Sequence, residues 1–252
     1  MLKANADRVW TFFAADFEPL VGFEAKLAGA AEAMQSRLKA PHWGYAPGRY
    51  VLRDTVQRLL AIVDFRRVFF QSLGLGVWQK NLDEYAEVIK VGLQKLGVQQ
   101  LKRIGFQATA NLAIGMSHKE MAELMFGSYI RPARELQDVA SNFDDVLLQL
   151  YGEEKGIKFQ LTVAPMTQEQ AVATFMATGN LEVFLEPKLV DAGVKEFKDR
   201  IATDCFHVSL DLSRSDVAQA EIPIFLRQSL DLADTMSAAA IQKLKSLRVK
   251  KG

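Results

Sequence analysis

The sequence contains very little cysteine, with Cys205 the only thiol among 252 residues. A single cysteine excludes an intrachain disulfide and a cysteine-rich metal site, and it is typical of a reducing compartment. The longest apolar run near the N-terminus, Val9 to Ala15, is interrupted by Thr11 and is too short for a signal peptide or a membrane span. We therefore expect a cytoplasmic protein that does not associate with membranes.

An excess of positive charge is also absent, because 31 lysine and arginine residues face 30 aspartate and glutamate residues, for a formal charge of +1. Nucleic-acid-binding proteins gain affinity from cations that face phosphates, so this balance argues against that function. The densest basic segment, Lys243 to Lys251, suits the negative end of a terminal helix. Nucleic-acid binding stays as an alternative, and it would need Arg66-Arg67 and Lys102-Arg103 to join these lysines.

The composition is that of an ordinary globular protein, with 49% hydrophobic and 24% charged residues. Helical periodicity predicts helices over Phe23–Lys39, Trp78–Leu96 and Ser117–Tyr129, after Thr167, over Val190–Ile201 and from Pro223 onward. Alternating and β-branched segments predict strands over Arg8–Ala14, Thr55–Val63, Arg66–Leu73, Leu101–Ile114, Val146–Tyr151, Ile157–Ala164 and Cys205–Leu212.

These elements predict an α+β fold, in which antiparallel sheets are covered by helices on one side and a long helix ends the chain. Two hairpins, Leu59 to Phe70 and Leu147 to Leu161, are each followed by a helix, a strand with a polar face and another helix. This similarity suggests two topologically similar halves, residues 1–115 and 116–252. No Pro/Gly-rich linker separates them, so one continuous domain is the alternative.

No motif with catalytic spacing is present in the sequence. The segment Gly74 to Gly76 lacks the third glycine of a dinucleotide-binding fingerprint, and there is neither a phosphate-binding loop nor a nucleophile elbow. The histidines His42, His118 and His207 lie far apart, and none has a histidine or cysteine partner at helical metal-binding spacing. We predict no catalytic residues, no metal and no cofactor.

Strand alternation predicts one polar surface. In the strands Cys205–Leu212 and Leu101–Leu112, the polar side chains share one face of each strand. If the two strands are neighbours, the merged surface holds the ligand-binding candidates Arg103, Gln107, Asn111, His207 and Asp211. The functional interpretation is a ligand-binding face or a nucleophile–base pair of Cys205 with His207. Alternation alone favours the other interpretation, the solvated side of an antiparallel sheet.

A second candidate surface is the predicted loop from His42 to Gly48, which follows Pro41. The loop and the residues after it combine aromatic and basic side chains, which anchor many protein interfaces. The interaction-surface candidates are His42, Trp43, Tyr45, Arg49 and Tyr50. The alternative is that these rings fold onto the core.

The layout resembles a sporadically distributed, uncharacterised prokaryotic protein family whose members are about this long. The resemblance rests on a mid-chain strand with Arg103-Ile104-Gly105 and on a late strand, Val208 to Leu212, before a terminal helix. It covers the C-terminal part of the chain. Ser213 stands where the family has a second acid, and Leu232-Ala233-Asp234 stands in place of a histidine. The family has no established function, so the resemblance implies no activity.

We expect a non-catalytic protein that works through protein contacts, by self-association or by assembly with a partner. An enzyme or a small-ligand-binding protein that uses the polar sheet face is the first alternative. Nucleic-acid binding is the second.

Overall fold

The computed structural model describes residues 8–38, 42–54, 59–73, 75–130, 144–179, 195 and 203–249. Within these residues the strands are β1 (Arg8–Asp16), β2 (His42–Ala46), β3 (Arg49–Asp54), β4 (Leu59–Asp64), β5 (Arg67–Leu73), β6 (Gln100–Leu112), β7 (Leu148–Glu154), β8 (Ile157–Met166) and β9 (Cys205–Ala218). The α-helices are α1 (Glu24–Leu38), α2 (Leu75–Leu96), α3 (His118–Met125), α4 (Gln168–Gly179) and α5 (Ile222–Val249). A π-helical turn, Phe126–Ile130, follows α3, and a 3-10 turn, Gln219–Glu221, precedes α5.

The described strands form one antiparallel sheet with the order β2-β3-β4-β5-β1-β6-β9-β8-β7. The predicted α+β class is confirmed, as is the long C-terminal helix. Strand β1 lies between β5 and β6, and β6 pairs with β9 along most of its length. Both predicted halves therefore contribute to the same sheet, and their division at residue 115 stays a prediction.

One face of the sheet carries the main hydrophobic core. Four of the described helices pack on this face. Helix α1 lies above β3 and β4, and α2 lies above β5. Helix α5 lies above β6 and β9, and α3 lies above β8. Trp78 of α2 lies at its centre, where its ring faces Phe13, Phe70, Tyr85 and Phe106 with centroid distances of 5.2–6.2 Å. Tilted and edge-on aromatic contacts of this kind add to the energy of burial.

The opposite face is covered in part by α4. Ala171 and Val172 of this helix are buried in a second, smaller cluster with Trp10, Phe12 and Cys205. These strand residues alternate with the residues of the main core, so the two clusters lie on opposite sides of the sheet. Helix α4 therefore adds a limited cover to the face that the main helices leave open.

Asp204, the residue before β9, joins the starts of two helices. Its Oδ2 accepts a hydrogen bond from the backbone N of His118 in α3 at 2.6 Å, and its Oδ1 accepts one from the backbone N of Gln168 in α4 at 3.2 Å. Both N–H groups are first-turn donors with no partner inside their own helix. Since α3 belongs to the main core and α4 to the smaller cluster, one carboxylate holds a helix on each side of the sheet.

Most predicted elements are present within a few residues of their expected bounds. The predicted capping box of α3 is confirmed, because the side chain of Ser117 accepts from Glu120 N and the side chain of Glu120 accepts from Ser117 N. The predicted loop from His42 to Gly48 is wrong, since it forms β2 and the turn to β3. The turn is confined to Pro47 and Gly48, where proline presets φ and glycine adopts a φ of 77°.

The predicted helix over Val190–Ile201 lies outside the described residues, apart from residue 195. In the part of the chain that the structure describes, no helix is both long and apolar enough to cross a membrane.

Candidate functional site

The predicted polar surface lies on the face opposite the main core. Strands β6 and β9 are neighbours, and their register places Gln107 opposite Asp211 and Asn111 opposite His207. Cross-strand partners in an antiparallel pair project from the same side of the sheet. The five candidate residues therefore share one face, but they divide into a buried end and an open end.

The buried end is occupied by Asn111 and His207. Nδ1 of His207 lies 2.9 Å from Oδ1 of Asn111, and the ring of Trp10 lies beside the imidazole, tilted by 47°, with a centroid distance of 6.2 Å. Burial lowers the pKa of His207 to about 4, because the charged imidazolium loses its hydration. The ring is therefore neutral at physiological pH, with Nδ1 protonated when Asn111 Oδ1 accepts the bond.

The hypothesis of a Cys205–His207 nucleophile–base pair gains no support from this geometry. Cys205 is fully buried in the cluster under α4, whereas a reactive thiolate needs an accessible, electropositive setting. A histidine with a pKa of about 4 is also a weak base for removing a thiol proton.

Polar side chains between the two ends bond to one another. Ser209 Oγ accepts a hydrogen bond from Gln107 Nε2 at 3.0 Å and lies 3.3 Å from Thr109 Oγ1. Because buried polar groups cost free energy when they are unpaired, these bonds explain how the face tolerates polar residues next to the small hydrophobic cluster.

The open end is a groove of about 300 Å³. The residues that line it are Phe12, Ala14, Asp16, Arg67, Phe69, Arg103, Gly105, Phe106, Gln107, Asp211 and Leu212. Ala14 of β1 pairs with Phe69 of β5 on one side and with Gly105 of β6 on the other. The two small residues, Ala14 and Gly105, form the floor of the groove. A volume of this size suits a small organic molecule.

Two arginines and one acid form a row across one end of the groove. Asp16 of β1 is opposite Arg67 of β5 and opposite Arg103 of β6. The carboxylate of Asp16 is ion-paired with the guanidinium of Arg67, which raises the pKa of Arg67. The pairing leaves Arg103 as the cation of this row that is not neutralised by direct contact with Asp16.

Arg103 lies across the floor toward Asp211. A Cβ placed on Gly105 would be 3.9 Å from Nη2 of Arg103, an ordinary van der Waals distance, so the guanidinium lies beside the floor of the groove at this position. Burial raises the pKa of the Asp211 carboxyl, and the positive charge of Arg103 acts in the opposite direction. The two opposite charges that line the groove therefore influence each other.

The structure thus places Arg103, Gln107 and Asp211 in the groove and keeps Asn111 and His207 outside it. Sequence analysis missed the part of the lining that comes from β1 and β5, which are Phe12, Asp16, Arg67 and Phe69. Strand β1 was predicted, but its position between β5 and β6 depends on pairings between distant parts of the chain.

The second predicted surface is an aromatic cluster on the edge strand β2. The ring of Tyr50 lies 5.1 Å from that of Tyr45 and 6.3 Å from that of Trp43, and it packs partly on the main core. Trp43 and Tyr45 are 58% and 56% exposed, so this cluster is only partly folded onto the core. Arg49 is half-buried at the start of β3, and the side chain of His42 is outside the described part.

Within the described ranges, no group of three or more His, Cys, Asp or Glu side chains could hold a metal ion. The basic residues named for nucleic-acid binding are partly balanced by acids, since Lys102 pairs with Glu18 at 2.7 Å and Arg67 pairs with Asp16. No protein-family model matches this chain, and no curated protein matches it significantly in sequence.

Proposed function

We propose that the protein binds a small ligand in the groove on the polar sheet face and does not transform it. The observation that carries this proposal is that Arg103 and Asp211, which have opposite charges, line one groove together with the aromatic residues Phe12 and Phe69. A sheet face that only meets solvent has no need for a concave site with a half-buried carboxylate, because burial of that charge costs free energy.

The surroundings of the groove support binding rather than chemistry. The imidazole of His207 is engaged with Asn111 outside the groove, and Cys205 is enclosed under α4. The groove itself offers donors, acceptors and rings on four adjacent strands, β5, β1, β6 and β9, and regular elements of this kind hold binding groups in fixed positions.

A pair of glycine variants tests the proposal. Gly105→Val places a branched side chain on the floor of the groove, in the space between Arg103 and Asp211. Gly44→Val is the matched control, because Gly44 also lies in a strand and a Cβ there meets no atom within 4 Å. We expect compounds from a metabolite library to raise the Tm of the wild type and of Gly44→Val but not that of Gly105→Val. Ligand-induced shifts that survive in Gly105→Val would contradict the proposal.

We propose protein contact through the edge strand β2 as a second function. The supporting observation is that Trp43 and Tyr45 remain more than half exposed beside Tyr50, on the strand that ends the sheet formed by the described residues. Exposed edges with aromatic side chains pair readily with other chains. We infer that the partner is a second copy of this chain, with another protein as the alternative.

Light scattering after size exclusion tests self-association directly. We expect an assembly larger than a monomer at micromolar concentration, and the double variant Trp43→Ser, Tyr45→Ser is expected to be monomeric. The double variant Leu150→Ser, Tyr151→Ser is the control, because these exposed side chains lie on β7 at the opposite edge of the sheet. A wild-type protein that is strictly monomeric would exclude self-association.

We also propose that the protein acts in the cytoplasm. Support comes from Cys205, the single cysteine of the sequence, which is a buried free thiol and therefore contributes no stabilising disulfide.

A further inference from the structure

The charges in the groove sum to zero but are not all paired. Arg67 and Arg103 carry two positive charges, and Asp16 and Asp211 carry two negative charges. Asp16 and Arg67 form an ion pair. Among the described residues, neither Arg103 nor Asp211 makes an ion pair within 4.0 Å or a side-chain hydrogen bond, although the charge of Arg103 reaches Asp211. Within the described part of the chain, the groove therefore presents one cation and one anion whose side chains have no hydrogen-bonding partner.

An apolar wall stands beside these two charges. The rings of Phe12 and Phe69 lie 5.8 Å apart between centroids, tilted by 37°, and both line the groove. Ala14 and Gly105 leave the floor between the wall and the charges without bulky side chains. A ligand that fills this space meets an aromatic surface on one side and a charged pair on the other.

We propose that the groove binds a small zwitterion with an apolar side group, which is the chemistry of a free α-amino acid such as phenylalanine. The ligand carboxylate accepts hydrogen bonds from the Arg103 guanidinium, and the ligand ammonium donates to the Asp211 carboxylate. The apolar side group packs on Phe12 and Phe69. This inference rests on the proposed function, because it names the ligand class of the same groove.

Ligands with a single charge fit these observations less well. A simple anion that bonds to Arg103 would bring a second negative charge to Asp211, whose ionised form is already disfavoured by burial. A simple cation at Asp211 would face the guanidinium of Arg103. A zwitterion avoids both repulsions, because each of its charges meets the opposite charge in a groove that is neutral as a whole.

Three probes that share a phenylethyl skeleton and differ in their charged groups test the inference by isothermal titration calorimetry. They are phenylalanine, 3-phenylpropionate, which lacks the ammonium group, and 2-phenylethylamine, which lacks the carboxylate. We expect phenylalanine to bind at least roughly tenfold more tightly than either analogue, since one charge-assisted hydrogen bond is worth about that factor.

Two variants assign each charge to its residue. Asp211→Asn is expected to remove most of the preference for phenylalanine over 3-phenylpropionate, and Arg103→Gln is expected to remove the preference over 2-phenylethylamine. Both positions lie on the open side of the sheet, and circular dichroism and Tm verify that the variants are folded. Lys80→Gln, which changes an exposed charge on α2, is the control and should leave all three affinities unchanged.

The outcomes separate this inference from the proposed function. Equal affinity for phenylalanine and one of its analogues would overturn the zwitterion assignment. The zwitterion assignment would also be overturned if phenylalanine does not bind while other compounds bind the wild type but not Gly105→Val. In that case the groove would still be a ligand site. If no library compound distinguishes the wild type from Gly105→Val, both the inference and the proposed function fail.

Discussion

The two faces of the central strands carry different chemistry on the same backbone. On β6, Phe106 points into the main core and packs on Trp78, whereas its neighbour Gln107 points to the other side and lines the groove. The same division recurs in β9, where Leu212 belongs to the main core and Asp211 to the groove face. One face packs on α1, α2, α3 and α5, whereas the other is covered only in part by α4 and carries charged and polar groups.

The polar face is itself divided into two ends, and the comparison shows two ways of placing polar groups in a sheet. At the covered end His207 bonds to Asn111 through Nδ1 and Oδ1, and among the described residues only Nδ2 of Asn111 in this pair is buried without a partner. At the open end, Arg103 and Asp211 leave hydrogen-bonding capacity that a ligand can use. Mutual pairing indicates a structural role, while unused capacity beside a cavity indicates binding.

The largest expected effect contrasts adjacent residues on opposite faces of β6. We expect Phe106→Ala to lower the free energy of unfolding by about 4 kcal/mol, because it leaves a cavity in the main core. Gln107→Ala loses one hydrogen bond to Ser209 and should cost about 1 kcal/mol. Urea denaturation measures both, and equal losses would show that the two faces contribute alike.

The next effect concerns the covered end of the polar face and depends on pH. The pKa of His207 is about 4 in the folded protein and about 6.5 in the unfolded chain, so the unfolded chain binds the proton more readily between these values. The stability from a neutral His207 is complete above pH 6.5 and is lost as the pH falls toward 4. This linkage amounts to about 3 kcal/mol.

We therefore expect the free energy of unfolding of His207→Gln to fall by about 3 kcal/mol less than that of the wild type between pH 6.5 and pH 4. His118→Gln controls for the loss of a histidine elsewhere and should retain the His207 contribution. Parallel stability curves for the wild type and His207→Gln would refute the buried, neutral imidazole.

A smaller effect of opposite sign is expected at the open end. Because burial raises the pKa of Asp211, the folded protein holds this proton more tightly than the unfolded chain, and stability is lost as the pH rises through the raised pKa. We expect Asp211→Asn to increase stability at pH 7 by under about 1 kcal/mol, and the gain should shrink in acid. Asp231→Asn on the exposed side of α5 is the control. A loss of stability in Asp211→Asn would contradict the claim that burial disfavours the ionised carboxylate of Asp211.

The smallest effect compares two glycines. Gly105→Ala should change stability by no more than about 0.5 kcal/mol, since the nearest atom to its Cβ is 3.7 Å away. Gly92→Ala should destabilise more, because its Cβ would lie 2.5 Å from Sδ of Met34 in the main core. Thermal unfolding of both variants measures the difference, and a costly Gly105→Ala would mean that the groove floor is closely packed.

Alternation in two strands was enough to predict the face that carries the groove. The polar periods of β6 and β9 placed Gln107 and Asp211 on one surface, and the structure makes them direct neighbours. A two-residue period is a local property of a strand, so the sequence reveals it without knowledge of the fold.

The rest of the groove could not be predicted because it depends on long-range pairing. β1 has aromatic residues on both faces, Phe12 toward the groove and Phe13 toward the core, so its sequence shows no clear alternation. Its neighbours β5 and β6 are distant in the sequence, and no local signal specifies that arrangement. The predicted loop around Pro47-Gly48 was wrong for a different reason. There a local signal was present but misleading, because the strong turn signal of Pro47-Gly48 obscured the short strand β2 before it.

The carboxylate of Asp204 is a hydrogen-bond acceptor for the N-terminal turns of two helices. It accepts one hydrogen bond from the first turn of α3 on one side of the sheet and one from the first turn of α4 on the other. Replacement of this one side chain would therefore remove an N-terminal bond from two helices that, among the described residues, share no other cap, since Ser117 and Glu120 cap α3 whereas Thr167 and Gln170 cap α4.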